Sequence, residues 1–124
     1  MLSLLISTSQ TMTPEQVVQK QLDSYNSRDI KGFMSVIADD VSLYNLGDSK
    51  AISFGHISVE VIYQNLFDKS PKLRSVLENR IVMGNVIIDH EKITGRMGSD
   101  DLLELTVIYE VKGQKIHKIT VVRN

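Results

Sequence analysis

Asp101 to Val122, DLLELTVIYEVKGQKIHKITVV, is the stretch of sequence that decides the predicted fold. Its first half alternates with a period of two, which is the spacing of a β-strand with an inner and an outer face. One face of this strand carries the apolar residues Leu103, Leu105, Val107, Tyr109 and Val111. Lys112 to Gln114 is typical of a tight turn, and a run rich in β-branched residues, Ile116 to Val122, follows it. We therefore predict a strand, a turn and a second strand.

Three helices are predicted upstream of this pair, and they cover one face of the sheet. The first begins at Thr13-Pro14-Glu15-Gln16, which supplies an N-cap, a proline at the first helical position and the glutamine of a capping box. The second begins at Asp29 and carries apolar residues as far as Ile37. The third follows Gly55 and is stopped by Pro71.

The remaining segments are predicted to be strands. Two short strands are expected at 41–44 and 51–54, and two long ones at 73–83 and 86–94, joined by the hairpin turn Gly84-Asn85. With the C-terminal pair, the long strands make an antiparallel meander of four. Helices first and a meander last indicate an α+β protein whose helices lie on one face of the sheet.

The length of 124 residues fits one domain with a substantial buried core. Because the helix start at Thr13 is strong, we interpret residues 1–12 as an N-terminal extension and residues 13–124 as the single domain. The apolar patch Leu2 to Ile6 is too short to span a membrane, and no positive charge precedes it as in a signal peptide.

Charge and composition exclude several classes of partner. Fourteen Lys and Arg oppose fifteen Asp and Glu, for a net charge of −1, and no basic run exceeds two residues. We therefore expect neither a nucleic-acid surface nor a membrane patch. The absence of cysteine excludes disulfides and thiolate metal sites, and it is compatible with the cytoplasmic location that we expect.

No metal or cofactor is expected from the motifs. The chain has no GxGxxG and no P-loop, so no motif provides a cradle for phosphate. The three histidines, His56, His90 and His117, are widely separated and lack the spacing of metal ligands.

Five segments together resemble the nuclear-transport-factor-2-like and SnoaL-like proteins. They are Tyr25–Ile30, Ala38–Val41, Phe67–Pro71, Gly84–Glu91 and Ile108–Ile116. Their order and spacing carry the resemblance. It concerns the fold, because this fold hosts many functions.

The resemblance covers roughly Pro14 to Val122, and it implies a cystatin-like cone. In such a cone, a strongly bent antiparallel sheet wraps around an internal pocket that helices close. The resemblance also implies a homodimer formed through the outer face of the sheet. The sequence supports this interface independently, because the second face of the organising strand, with Leu102, Thr106 and Ile108, is too apolar for full exposure to solvent.

Ketosteroid isomerases have this fold and use a carboxylate base, a tyrosine and a protonated aspartate. At the positions that the resemblance assigns to these groups, this sequence has Asn45, Gln21 and Val107. An amide is no general base at neutral pH, and a valine donates no hydrogen bond. Steroid isomerase activity is therefore not expected.

The preferred interpretation is a pocket for a small apolar or amphipathic ligand. Its expected ligand-binding residues are Tyr25, Gln21, Asn45, Phe54, Tyr63, Val107 and Tyr109. Since aromatic residues at these spacings are also typical of an ordinary core, a structural module with a filled interior is a further interpretation.

The alternative is an enzyme that moves protons on a small carbon acid, with His90 or Asp89 as the catalytic residue. Successive strand residues point to opposite faces. Either His90 therefore faces the pocket alone, or Asp89 and Glu91 face it together. A solvated strand end is the remaining interpretation of these charges.

Overall fold

The computed structural model describes residues 11–123. Its helices are α1 (Pro14–Ser27), α2 (Ile30–Met34) and α3 (His56–Asp68), and a short 3-10 helix spans Arg96–Gly98. Its strands are β1 (Ile37–Asn45), β2 (Ser53–Phe54), β3 (Arg74–Met83), β4 (Val86–Thr94), β5 (Leu103–Lys112) and β6 (Lys115–Arg123). The predicted α+β class, with helices first and a four-stranded meander last, is confirmed.

The start of α1 follows from its capping residues. The Thr13 amide donates to Gln16 Oε1 at 2.9 Å, and the Gln16 amide donates to Thr13 Oγ1 at 3.2 Å, which completes the predicted capping box. The helix ends at Ser27, and Arg28 follows it in the left-handed conformation with φ 53°.

The predicted extent of the second helix is wrong. Asp29 caps it as expected, through a hydrogen bond from the Gly32 amide, but the helix ends at Met34. Ile37 begins β1, and the Ile116 amide donates to the Val36 carbonyl at 2.7 Å. Pairing with the last strand therefore overrides the helical pattern of the local sequence.

The strands form one six-stranded sheet in the order β2-β1-β6-β5-β4-β3, which is not closed into a barrel. The meander pairs are antiparallel, as predicted, whereas β1 lies parallel to β6 in the middle of the sheet. This one parallel contact makes the sheet mixed. Glu78 on β3 and His117 on β6 are extra residues at register shifts, and such bulges bend a sheet.

The inner face of the meander is a grid of three rows. Ile87, Tyr109 and Ile119 form one row, Asp89, Val107 and Val121 the next, and Glu91, Leu105 and Arg123 the third. The helices pack over this face. An aromatic cluster joins them, because Tyr25 of α1 and Phe33 of α2 both contact Phe67 of α3 edge-on at 5.7 and 5.8 Å.

The domain boundary predicted between residues 12 and 13 stays a prediction, since residues 1–10 lie outside the described residues. Met12 packs against the core, and its amide donates to Gln114 Oε1 at 2.7 Å. Among residues 11–123, no helix is long and apolar enough to cross a membrane.

A buried ion pair fixes α1 onto the sheet. Arg80 of β3 lies directly opposite Asp89 of β4 and donates to both carboxylate oxygens, at 2.7 and 2.9 Å. The same guanidinium donates to Gln19 Oε1 of α1 at 2.8 Å, and Glu15 lies 3.7 Å away. The Asp89 side chain is fully buried and that of Arg80 is 9% exposed. Water therefore hardly reaches either charge, and each is stabilised mainly by the other.

We expect Asp89→Asn to lower the free energy of unfolding by about 3 kcal/mol, because it leaves a buried guanidinium without its carboxylate partner. The matched control is His90→Gln. His90 is the next residue on the same strand, faces the opposite side and forms an exposed pair with Glu104, so its loss should cost less than about 1 kcal/mol. Urea unfolding followed by circular dichroism measures the free energy of unfolding of both variants. Equal losses in the two variants would contradict a structural role for Asp89.

Candidate functional site

A cavity of about 360 Å³ lies between the inner face of the sheet and the helices α1 and α3. Its apolar wall comes from four strands, with the side chains of Leu43, Ile93, Leu105, Val107, Ile119 and Val121. These residues are inward-facing members of their strands, so the alternation that builds the core also builds the pocket.

Polar groups are gathered on the remaining wall. Tyr25 and Gln21 come from α1, Tyr63 from α3, and Tyr109 and Glu91 from the sheet. The Gln21 Oε1 atom is buried and accepts no hydrogen bond from any residue that the structure describes. A buried oxygen without a donor is costly, so this atom is a candidate for contact with a bound molecule.

Glu91 is a carboxyl group buried in the wall of the cavity, 4% exposed. Ser75 Oγ donates to its Oε1 at 2.5 Å, and the Tyr109 hydroxyl donates to its Oε2 at a longer 3.5 Å. Ser75 is itself held by Asn26 of α1, which exchanges two hydrogen bonds with its backbone at 2.7 and 2.9 Å. The carboxyl group is therefore fixed in position by a chain of contacts that reaches the first helix.

Burial raises the pKa of Glu91 above its ordinary value, and the hydrogen bond from Ser75 opposes that rise. Asp89 raises the pKa further, although Arg80 at its side works against it. The carboxyl group consequently keeps its proton to a higher pH than a solvated glutamate does. This is the property that a proton donor or acceptor needs near neutral pH.

The three tyrosines of the cavity stay protonated at neutral pH. Burial raises the pKa of Tyr63 to about 12, and it raises the pKa of Tyr25 and Tyr109 as well; the negative charge of Glu91 adds to the rise at each of them. The hydroxyl groups of Tyr25 and Tyr63 are therefore candidate hydrogen-bond donors to a molecule in the cavity, whereas that of Tyr109 donates to Glu91.

Five of the seven residues that the sequence predicts for ligand binding line this cavity together: Gln21, Tyr25, Tyr63, Val107 and Tyr109. Asn45 and Phe54 are not among its lining residues. Phe54 lies in the short edge strand β2 and is 67% exposed. Asn45 ends β1, and its Oδ1 is buried without a partner in the described part of the chain.

The two residues predicted as catalytic point in opposite directions. His90 faces the outer side of the sheet, 2.5 Å from Glu104, and Asp89 faces inward but is held by Arg80 and is not a lining residue. Of the two arrangements left open by strand parity, Asp89 and Glu91 inward is the one observed.

Three charged residues line the cavity. From the sequence, Glu91 is considered only as an inward-facing neighbour of Asp89, and Arg96 and Arg123 are not selected. On β4 both faces carry two aliphatic residues each, so the pattern alone does not indicate which side is buried. Arg96 lies in a loop, where no periodic signal applies, and Arg123 is the last residue of β6. The register of β4 to β6 places Glu91 and Arg123 in one row of the inner face.

No metal centre is formed by the described residues. Within 11–123, no group of three or more histidine, aspartate or glutamate side chains is arranged to hold an ion. The other two histidines serve the fold: His56 contacts the Met34 carbonyl at 3.2 Å, and His117 lies 2.9 Å from Asp40.

No protein-family model and no curated protein sequence matches this chain. Solved structures do match it. An uncharacterised cystatin-fold protein from Novosphingobium aromaticivorans superposes with a TM-score of 0.83, at 17% identity, over 91% of this chain and 100% of that one. An NTF2-like protein of unknown function from Cytophaga hutchinsonii gives a TM-score of 0.78, at 11% identity, over 94% and 95% of the two chains.

One further match has a known activity. An LEH-like epoxide hydrolase from Mycobacterium tuberculosis superposes with a TM-score of 0.75, at 12% identity, over 90% of this chain and 82% of the other. Identities this low establish the fold and leave the activity open. The chain therefore has a cystatin-like α+β cone fold, which it shares with these solved structures.

Proposed function

We propose that the cavity binds a small amphipathic molecule. The observation that carries the proposal is a cavity of about 360 Å³ lined by aliphatic side chains and by polar groups from α1, α3 and the sheet. Among the polar groups is Gln21, whose Oε1 has no hydrogen-bond partner among the described residues. A filled core would leave neither the volume nor the unsatisfied oxygen. The volume is within the range of sites for small ligands, about 300–1,000 Å³.

The polar wall indicates how such a molecule would be oriented. Tyr25 and Tyr63 offer hydroxyl donors, Gln21 offers an acceptor, and Glu91 offers either, according to its protonation. The rest of the lining is mainly aliphatic and includes Leu105, Val107, Ile119 and Val121. A ligand with an apolar body and one polar edge satisfies both walls at once, which supports an amphipathic ligand over a purely apolar one.

Proton transfer at Glu91 is the second candidate function. It replaces the assignment to His90 or Asp89, since one faces away from the cavity and the other is occupied by Arg80. Glu91 is the carboxyl group that borders the cavity, and burial raises its pKa. The LEH-like epoxide hydrolase supports the candidate only in that an enzyme can be built on this fold.

We further propose that two copies of the chain associate through the outer sheet face. Ile81, Ile88 and Ile108 form one row across β3, β4 and β5, and Ile81 is 50% exposed. Pairs of opposite charge flank this row, including Lys92–Glu78 and Lys118–Glu110. A surface with an apolar centre and with positive and negative charges around it can be complementary to a second copy of itself, as a two-fold interface requires.

The ligand proposal predicts that filling the cavity abolishes binding. Val107→Phe adds a ring on the inner face of β5, so we expect the affinity for N-phenyl-1-naphthylamine, a neutral apolar fluorescent probe, to fall by about tenfold or more. Ile108→Phe, on the outer face of the same strand, is the control and should bind as the wild type does. Equal binding by both variants, with both folded by circular dichroism, would contradict the proposed site.

The proton-transfer candidate predicts deprotonation of 5-nitrobenzisoxazole. The Glu91 carboxylate would take the C3 proton, the nitrogen–oxygen bond would break, and 2-cyano-4-nitrophenolate would absorb at visible wavelengths. The rate should rise with pH as the carboxyl group loses its proton, at a pH above the ordinary glutamate pKa of 4.5, because the pKa is raised. Glu91→Gln should lower the rate about a hundredfold, and Glu104→Gln should not. An unchanged rate in Glu91→Gln would remove this candidate.

The association proposal predicts a particle of twice the chain mass by light scattering. Ile108→Lys places a charge in the middle of the outer row, so we expect it to yield single chains at micromolar concentration. Ile57→Lys, on α3 and 81% exposed, is the control and should leave the mass unchanged. A wild-type protein with the mass of one chain would contradict the proposed interface.

A further inference from the structure

We infer that the ligand of this cavity carries an anionic headgroup, which Arg96 and Arg123 bind at the mouth while an apolar chain occupies the interior. The inference rests on the proposed ligand site and specifies its chemical class. Both arginines line the cavity, and both are exposed at its rim. The shared chemistry is that of a carboxylate, sulfate or phosphate attached to a hydrocarbon body.

Arg123 belongs to the inner face by register. It lies opposite Leu105 on β5, which in turn lies opposite Glu91 on β4. Its neighbours on the same face of β6, Ile119 and Val121, are buried core residues. Arg123 therefore continues an apolar row of side chains. Arginine tolerates such a position because its aliphatic stem can pack against apolar residues while its guanidinium group stays in contact with water.

Arg96 reaches the same end of the cavity from the loop between β4 and β5. That loop is held in place by Gly95 and Met97. A Cβ atom on Gly95 would come within 2.2 Å of the Lys72 carbonyl oxygen, and its φ of 76° also favours glycine. The Met97 amide donates to Ser70 Oγ at 2.7 Å. The loop therefore presents Arg96 from a fixed backbone.

The charges of the lining residues favour an anion. The lining includes two arginines and one carboxyl group, that of Glu91. Glu91 lies in the same row of the inner face as Arg123, with Leu105 between them, and it accepts hydrogen bonds from Ser75 and Tyr109. Within residues 11–123, neither Arg96 nor Arg123 forms an ion pair. The cavity is thus electropositive in a chain whose net charge is −1.

The two positive charges act on a common point. Burial dominates the pKa of Tyr63, Glu91 raises it further, and both Arg96 and Arg123 work to lower it. Arg96, Arg123 and Tyr63 also line the same cavity. Guanidinium groups are well suited to bind planar or tetrahedral oxyanions, so the two arginines provide the positive charge that an anionic headgroup requires.

The test compares two ligands of equal chain length, decanoate and decan-1-ol, by equilibrium dialysis with radiolabelled compounds at pH 7.5. We expect the wild-type protein to bind decanoate about tenfold or more tightly than decan-1-ol. Arg96→Gln and Arg123→Gln should each weaken decanoate binding about five- to tenfold and leave decan-1-ol binding within about twofold. Arg74→Gln, an exposed arginine of β3 that does not line the cavity, is the matched control.

The outcomes separate this inference from the function on which it rests. Equal binding of decanoate and decan-1-ol by the wild type would overturn the anionic headgroup while the ligand site stands. If the wild-type protein bound neither decanoate nor decan-1-ol, both the anionic headgroup and the ligand site would be overturned. If the glutamine variants lost affinity for decanoate and decan-1-ol to the same extent, the arginines would only shape the cavity wall, and the inference would be overturned. Recovery of the decanoate preference in Arg96→Lys or Arg123→Lys would support it.

Discussion

The alternation of inward and outward residues on β5 is the constraint on which the rest of the structure depends. β5 has a long antiparallel neighbour on each side, so its register fixes which residues of β4 and β6 meet on the inner face. A slip of one residue would expose Val107 and Tyr109 and bury Thr106 and Glu104. The core, the cavity wall and the outer face are consequences of this one register.

Two carboxyl groups on the inner face of β4 show how position decides the role of a residue type. Asp89 meets Arg80 directly across the sheet, under α1, and its charge is neutralised there. Glu91, two residues further, meets Leu105 and borders the cavity, where a serine and a tyrosine provide hydrogen bonds but no full countercharge. The first carboxylate stabilises the fold, and the second is left with a raised pKa in a place that a ligand can reach.

Most of the fold could be predicted from the sequence because its signals are local. The capping box at Thr13, the alternation of Leu103 to Val111 and the hairpin at Gly84 each determine their own element. The end of α2 could not, because the pairing of Ile37 with a strand near the other end of the chain decides it. The positive charges of the site escaped prediction for a similar reason. The register of three strands places Arg123 in the same row as Glu91, and Arg96 comes from a loop without a periodic pattern.

The parallel contact between β1 and β6 has a consequence for the time course of folding. It joins β1 to β6, the last strand of the described domain, since Leu43 pairs with Ile119 and Asn45 with Val121. Until the C-terminal strand is available, β1 and β2 have no sheet to join, and the inner wall of the cavity is incomplete. Contacts of such sequence separation slow folding through the entropy of closing a long loop. During synthesis, β1 therefore stays without its long partner until β6 has been made, and a truncation that removes β6 would leave the first strand unpaired on that side.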